Sequence, residues 1–354
     1  MTKEGGLSME HKIALIGFGV VGQGFAEILE EKGELLRSGL GFEAKIVAIS
    51  DFLKGSLYHP EGLDIAKALQ AVKETGKLDL YPESPGLVRG WDSFQTIRES
   101  NADTIVEITF TDVKTGQPAI DHCKAAFESR KNVVMSNKGP VSLAYQELVE
   151  LARKNHVRWG FEGTVMSGTP ALRMPLVALA GNNISEIRGI LNGTTNYILT
   201  KMEEGLSYEA ALEEAQALGY AEADPTSDVE GYDAQYKVTI LTNIVMDVPM
   251  KREEVECEGI SHLTQQDIQW AKSEGRKWKL IAKCIKDGDK VIAKVGPEAI
   301  PITDPLAGVS GAQNAITYDC DLAGPITLIG AGAGRKETGF SILIDLINIS
   351  RDQL

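Results

Sequence analysis

The sequence predicts an α/β chain of two domains, a doubly wound parallel sheet joined to a smaller α+β domain. Three observations predict it. Short apolar runs alternate with helical spacing through the first half, the pattern of parallel strands whose connecting helices cover both faces of a sheet. A glycine-rich turn directly follows the first run, and after about residue 180 the rhythm changes to a strand, three helical stretches and a hairpin. The length of 354 residues holds two domains of roughly 150 residues each.

The elements follow in order. Residues 12–16 form an apolar strand, and 20–36 carry helical spacing, with Val21, Phe25, Ile28, Leu29 and Leu36 set among Glu and Lys. Residues 46–49 make a second strand ending in Ser50-Asp51, and a polar, Gly- and Pro-rich excursion over 53–90 holds one helix at 64–75. Residues 104–108 and 132–135 are further buried strands, flanked by helices at 118–129 and 143–154. In the second half, 184–191 reads as a strand and 195–204, 208–218 and 231–245 as helices. Residues 279–295 form a hairpin turned at Asp287-Gly288-Asp289. A strand at 325–329, a Gly-rich turn and a helix at 338–349 return to the earlier style. The boundary falls near 165–180, giving a first domain of residues 1–165 completed by 330–354 and a second of 166–329.

Charge and composition exclude several classes. Fifty acids against 36 bases leave a net charge of −14, which argues against binding nucleic acid or an anionic membrane surface. No apolar run approaches the ~20 residues that span a bilayer, and residues 1–11 lack the apolar core of a signal peptide. Cys123, Cys257, Cys284 and Cys320 are scattered, and the five histidines show no ligand spacing, so no zinc site is expected. The expected compartment is the cytoplasm.

The first motif is Gly17-Phe18-Gly19-Val20-Val21-Gly22. Alone, GxGxxG is a weak signal; between a strand and a helix it has the context of a Rossmann-type dinucleotide fingerprint. The first glycine makes the tight turn, the second admits the pyrophosphate to the backbone, and the third packs helix on strand. The helix N-terminus then offers free N–H groups to the phosphates. Asp51, at the end of the second strand, occupies the place of the acid that holds the ribose hydroxyls of NAD, whereas Lys54 could meet the 2′-phosphate of NADP. Gly330-Ala331-Gly332-Ala333-Gly334 has the wrong spacing for a second such site and reads as a turn closing over the same cofactor.

The second constellation begins as a run of acids. Between Met202 and Tyr236 there is no Lys or Arg, and ten acids stand from Glu203 to Asp233; the next base is Lys237. Asp233 and Lys237 are four apart on an expected helix and share a face. A solvated loop with a surface ion pair worth under ~1 kcal/mol is the plain reading, and a calcium loop lacks its EF-hand order and glycine. The functional reading is a pocket for an amino-acid ammonium, held by Glu222, with Lys237 at the reacting oxygen. Nearby carboxylates favour a protonated lysine, which suits donating a proton to a developing alkoxide. Oxidation of an alcohol is then expected to improve toward alkaline pH.

The stretches 190–200 (Ile-Leu-Asn-Gly-Thr-Thr-Asn-Tyr-Ile-Leu-Thr), 215–225 (Ala-Gln-Ala-Leu-Gly-Tyr-Ala-Glu-Ala-Asp-Pro) and 228–237 (Asp-Val-Glu-Gly-Tyr-Asp-Ala-Gln-Tyr-Lys) resemble homoserine dehydrogenase. With the N-terminal fingerprint, the resemblance covers most of the chain. It implies interconversion of L-homoserine and L-aspartate 4-semialdehyde with NAD or NADP, on the route to threonine and methionine, by a homodimer whose second domain serves both catalysis and dimerisation. Lys237 would then be the catalytic lysine and Asp233 its partner, with Glu222 on the substrate amino group and Asp228 nearby. Lys138, in Asn137-Lys138-Gly139, resembles a second lysine beside cofactor and substrate; by itself it is an ordinary loop lysine. Thr109 and Gly334 match cofactor-contacting positions. Residues 162–170 (Glu-Gly-Thr-Val-Met-Ser-Gly-Thr-Pro) resemble a loop binding a monovalent cation such as Na+ through Glu162, Val165, Ser167 and Thr169, departing from the family wording at Gly163 and Ser167. Many family members continue into a threonine-sensing domain, and this sequence stops at Leu354, so such feedback is not expected. Two rival classes are weaker. An aspartate-semialdehyde dehydrogenase needs an activated cysteine, and no cysteine here lies beside a glycine turn or a paired histidine. A non-catalytic dinucleotide sensor would show a broken substrate site, whereas all four site residues are present.

Overall fold

The computed structural model describes residues 9–110, 112, 114–288 and 290–353. It divides into two compact units, Met1–Thr164 with Gly334–Leu354, and Val165–Ala333.

The first unit begins β1 (Met9–Ile16), α1 (Val20–Leu40), β2 (Phe42–Asp51), β3 (Gly55–Tyr58), α2 (Ile65–Thr75), β4 (Val88–Arg89), α3 (Ser93–Glu99) and β5 (Thr104–Glu107). It continues with α4 (Ala119–Glu128), β6 (Asn132–Met135), α5 (Lys138–Leu143), α6 (Tyr145–Lys154) and β7 (Trp159–Gly160). The strands order as β4-β3-β2-β1-β5-β6-β7. From β2 to β7 every pair is parallel, as near-continuous apolar strands require. The excursion over 53–90 corrects the expectation of a purely parallel sheet. It carries β3 and β4, which add an antiparallel edge beyond β2. Its helix α2 is capped by Asp64, which accepts from the Lys67 N–H. The core of this unit joins Ile13, Leu15 and Ile49 of the strands to Phe25 and Ile28 of α1.

The second unit holds β8 (Ile184–Ile190), α7 (Gly193–Glu203), α8 (Tyr208–Ala217), α9 (Thr226–Val229), α10 (Tyr232–Ile244), β9 (Glu256–Cys257), α11 (Gln265–Ser273), β10 (Arg276–Asp287), β11 (Lys290–Pro301), β12 (Gln313–Cys320) and β13 (Gly324–Ala331). The expected hairpin is β10 and β11, paired from Arg276–Pro301 inward; Asp289, named for its turn, lies outside the described residues. It is longer than expected, and it belongs to a six-stranded sheet ordered β13-β12-β8-β10-β11-β9. Helix α10 is buried on all sides from Ala234 to Ile244. A helix enclosed in this way shows no single apolar stripe, and so Lys237 lies inside the unit, not on its surface.

The last helix, α12 (Arg335–Ser350), belongs to the first unit and lies along α1. A Cβ at Gly24 of α1 would stand 2.2 Å from the Arg335 carbonyl oxygen, so the approach requires glycine. Arg335 then clasps Glu27 through two hydrogen bonds of 3.0 and 2.7 Å. Among the described residues, no helix is long and apolar enough to cross a membrane.

Candidate active site

The glycine turn leaves the C-terminal end of β1. There β2 lies on one side and β5 on the other, so strand order reverses; open α/β sheets bind ligands in the crevice such a reversal leaves. Gly17 has φ +102°, and a Cβ on it would lie 2.6 Å from the Ile108 carbonyl oxygen. Gly19, the N-cap of α1, has nothing within 4 Å of its Cβ position. Its backbone faces open space, as a residue against a pyrophosphate should. Gly22 packs toward the Ile108 side chain, 3.0 Å from its Cβ position. Phe18 is buried, and Val20 and Val21 begin α1.

Asp51 ties this turn to the loop beyond β2. Its Oδ2 accepts from the Phe18 N–H at 2.7 Å, and its Oδ1 from the N–H groups of Leu53 and Lys54 at 3.0 and 2.9 Å. Lys54 Nζ lies 4.0 Å from the same carboxylate. Asp51, Leu53 and Lys54 line a cavity of about 800 Å³ with Trp91, Phe94 and Thr109. Phe52 and Phe110 stand exposed at its walls.

Behind Thr109 lies a buried cluster that sequence reasoning missed. Glu107, the last residue of β5, is 0% exposed. Its Oε1 accepts from the Thr109 hydroxyl at 2.5 Å and meets His122 Nδ1 at 3.2 Å, and its Oε2 accepts from the Asn137 amide. His122 Nε2 meets the Ser93 hydroxyl at 2.9 Å. No local spacing links residues 93, 107, 122 and 137; only the sheet assembles them. Lys138 follows Asn137 as the first residue of α5 and is half-buried.

In the second unit, Lys237 is 6% exposed. Its ammonium donates to Asp233 Oδ2 at 2.6 Å and to the Leu191 carbonyl at 2.5 Å. Asn192 organises the acids around it. Its amide nitrogen donates to Asp228 Oδ1 at 2.7 Å and Asp233 Oδ2 at 3.0 Å, while its Oδ1 caps α7 through the Thr195 N–H. The Thr194 hydroxyl lies 3.1 Å from Asp228 Oδ2 and 2.6 Å from the Tyr220 carbonyl, which pins the loop leading to Glu222. Burial, and then the neighbouring Asp233 charge, raise the Asp228 carboxyl above its ordinary range. Asn192 and Thr194 were part of the recognised motif, yet their bonding depends on a fold that brings residues 192, 228 and 233 together.

The remaining expected residues are distributed differently. Glu222 is exposed, and among the described residues no hydrogen bond joins it to the network around Lys237; its backbone carbonyl accepts from Gln216 at 3.0 Å. In the first unit, Glu162 is buried in a short 3₁₀ turn, and its N–H donates to Asp345 at 2.9 Å. In the second, Val165 and Ser167 are buried, Met166 and Ser167 both adopt left-handed backbone, and the Thr169 N–H returns to the Met166 carbonyl at 3.0 Å. Gly334 caps α12 with φ +149°.

No thiol here is an activated nucleophile. All four cysteines are free, and burial pushes Cys284 up to about 12 and Cys257 to about 11, and raises Cys123 and Cys320 as well. A glycine turn at the head of a cleft where strand order reverses is the architecture of dinucleotide-dependent oxidoreductases, and that is the class the first unit defines.

Comparison with known proteins agrees. The homoserine dehydrogenase family model matches residues 170–347, and the glutamate/leucine/phenylalanine/valine dehydrogenase model matches residues 1–113. The chain is 43% identical over 341 residues to the NAD(+)-dependent homoserine dehydrogenase of Pseudomonas canavaninivorans, covering 96% of each chain. A solved structure of a putative homoserine dehydrogenase from Archaeoglobus fulgidus superposes with TM-score 0.86 at 37% identity, covering 96% of this chain and 99% of that one. A hyperthermophilic archaeal homoserine dehydrogenase in complex with NADPH gives 0.83 at 31% identity, covering 97% and 98%. This chain belongs to the homoserine dehydrogenase family, NAD(P)-dependent oxidoreductases that interconvert L-homoserine and L-aspartate 4-semialdehyde.

Proposed function

We propose that Lys237 is the proton donor and acceptor of that reaction in this chain, because it is a buried ammonium held between Asp233 and the Leu191 carbonyl. The open face of Gly19 and the Asp51-tied turn fit a dinucleotide. Gly17, Phe18, Gly19, Val20, Val21 and Gly22 would hold its pyrophosphate, with Thr109, Lys138 and Gly334 lining the rest. The bound nicotinamide supplies the hydride in reduction and takes it in oxidation. In reduction, the Lys237 ammonium protonates the oxygen as it becomes an alkoxide; in oxidation it takes that proton back. Asp233 and Asn192 keep the ammonium aimed, and Lys138 adds positive charge at the developing oxyanion. Asp228 holds the acids in register through Asn192. Glu222, exposed on its pinned loop, is free to take the substrate ammonium.

The carboxylate of Asp51 at the end of β2 opposes a 2′-phosphate and favours NAD, while Lys54 keeps NADP acceptable. The carbonyl groups of Val165, Ser167 and Thr169, presented by left-handed Met166 and Ser167, with Glu162 close in sequence, support a monovalent cation such as Na+. A homodimer is supported by the part of the sheet face opposite α10 that Leu306 and Val309 leave exposed. Ile292 and Ile329 lie there, 53% and 55% exposed, on the side opposite Cys284, which meets α10. The reading places the protein in the cytoplasm, on the route to threonine and methionine. The test is to mix protein with L-homoserine and either NAD or NADP and follow absorbance near 340 nm. Turnover with NAD exceeding that with NADP is expected, and no turnover with either would overturn the reading.

A further inference from the structure

The cluster around Glu107 has a consequence for what the cleft can bind. A carboxylate oxygen only accepts hydrogen bonds, and here two of them take three donors: the Thr109 hydroxyl, the Asn137 amide and His122. The single Thr109 proton is thereby committed inward, at 2.5 Å, and only its lone pairs remain for the cavity that Thr109 lines. The Asn137 amide gives one of its two N–H groups to Glu107, which turns its Oδ1 away from that carboxylate. Both residues follow strands, β5 and β6, on the far side of β1 from Asp51. A dinucleotide lying across the reversal of strand order puts its adenosine half by β2 and its nicotinamide half toward β5 and β6.

We propose that Glu107 is a positioning residue that makes Thr109 and Asn137 acceptors facing the cofactor, so that the ends of β5 and β6 select hydrogen-bond donors of the nicotinamide half. Ribose hydroxyls and a carboxamide N–H satisfy that wall; an anionic group does not. His122 completes the arrangement by bracing Oε1 against Ser93 of α3. The inference rests on the dinucleotide reading and adds to it which side chain sets the polarity of one half of the site.

The experiment compares binding of NADH, followed by its fluorescence, with binding of 5′-AMP, which carries the adenosine half alone. In Glu107→Gln the side chain can donate toward position 137, so the Asn137 amide is free to flip and present N–H groups to the cofactor. The NADH dissociation constant should rise about tenfold, the size of one mispaired charged hydrogen bond, while that of AMP changes less than twofold. Adding Asn137→Asp restores an acceptor-only group and should recover most of the NADH affinity. Unchanged NADH binding, equal weakening of NADH and AMP, or a double variant no better than the single one would each overturn the proposal. If Glu107→Gln does not fold, Thr109→Val and Thr109→Ser provide the same contrast: Val should weaken NADH alone and Ser should not, and equal behaviour of the two would overturn it. A wild-type protein that binds neither NADH nor AMP would remove the dinucleotide reading itself, an outcome distinct from all of these.

Discussion

Each unit buries a charge at its candidate site, and the two are solved in opposite ways. Glu107 is a buried carboxylate enclosed by Thr109, His122 and Asn137. Lys237 is a cation set against Asp233, and a second carboxylate, Asp228, stands close enough to disturb its neighbour. The first arrangement fixes geometry and leaves little charge to spare. The second concentrates charge where the proposed reaction moves a proton. The cleft of the first unit is therefore expected to fail by losing affinity, and the network of the second by losing rate.

The largest effect should come from Lys237→Met. Methionine keeps the volume of the lysine stem in the buried helix α10, and Asn192 still donates to Asp233, so the fold should persist. Removing a general acid costs about 10²–10⁴-fold in kcat. The dinucleotide dissociation constant should stay within about twofold. A variant retaining a tenth or more of wild-type kcat would remove Lys237 from the mechanism, and with it the contrast between the units.

Gly17→Ala should give the complementary result, smaller in rate and larger in affinity. The new Cβ would have to sit 2.6 Å from the Ile108 carbonyl oxygen with φ at +102°, a strain of about 1–3 kcal/mol. Relieving it pushes the turn away from β5, and NADH binding should weaken by at least about tenfold, with a lowered melting temperature. Homoserine turnover at saturating dinucleotide should fall much less. Wild-type NADH affinity in this variant would show that the turn does not carry the phosphates.

How legible each region was in the sequence follows the same division. The β1–α1–β2 unit was readable because its signals are local: an apolar run, glycines at fixed spacing, helical periodicity, and an acid at a strand end. Asp233 and Lys237 were readable for the same reason, being one helical turn apart. Strands β3, β4, β7, β9 and β12 were not assigned. The first two are short and sit in a polar, Gly-rich excursion, and their pairing is made by the edge of β2. In β12 the apolar positions Ala315, Ile316 and Tyr318 adjoin polar Asn314 and Thr317, a mixture that a six-stranded sheet resolves and a single run does not. Glu107 and His122 carried no signal at all, since their 15-residue separation means nothing until β5 and α4 pack. Glu222 shows the reverse case. A matched motif supplied its role, and the structure leaves its side chain exposed, outside the lysine network.

The smallest expected effect tests whether the second unit gives up stability for its charge. Burial and the Asp233 charge raise the Asp228 carboxyl in the folded protein, so the folded state binds that proton more readily than the unfolded chain. By linkage, ionised Asp228 then costs stability at pH above its folded value, and the cost vanishes below the ordinary carboxylate range, where both states are protonated. Asparagine mimics the protonated form: its oxygen can still accept from Asn192, and its amide can donate to the Thr194 hydroxyl, which itself donates to the Tyr220 carbonyl. Asp228→Asn should therefore raise the melting temperature by about 1–3 °C near pH 8, with the gain shrinking as pH falls toward 4. A constant gain across that range would assign the effect to packing. A loss near pH 8 would mean that Asp228 is held by its donors more strongly than it is opposed by Asp233, and the network would then resemble the satisfied cluster around Glu107 after all.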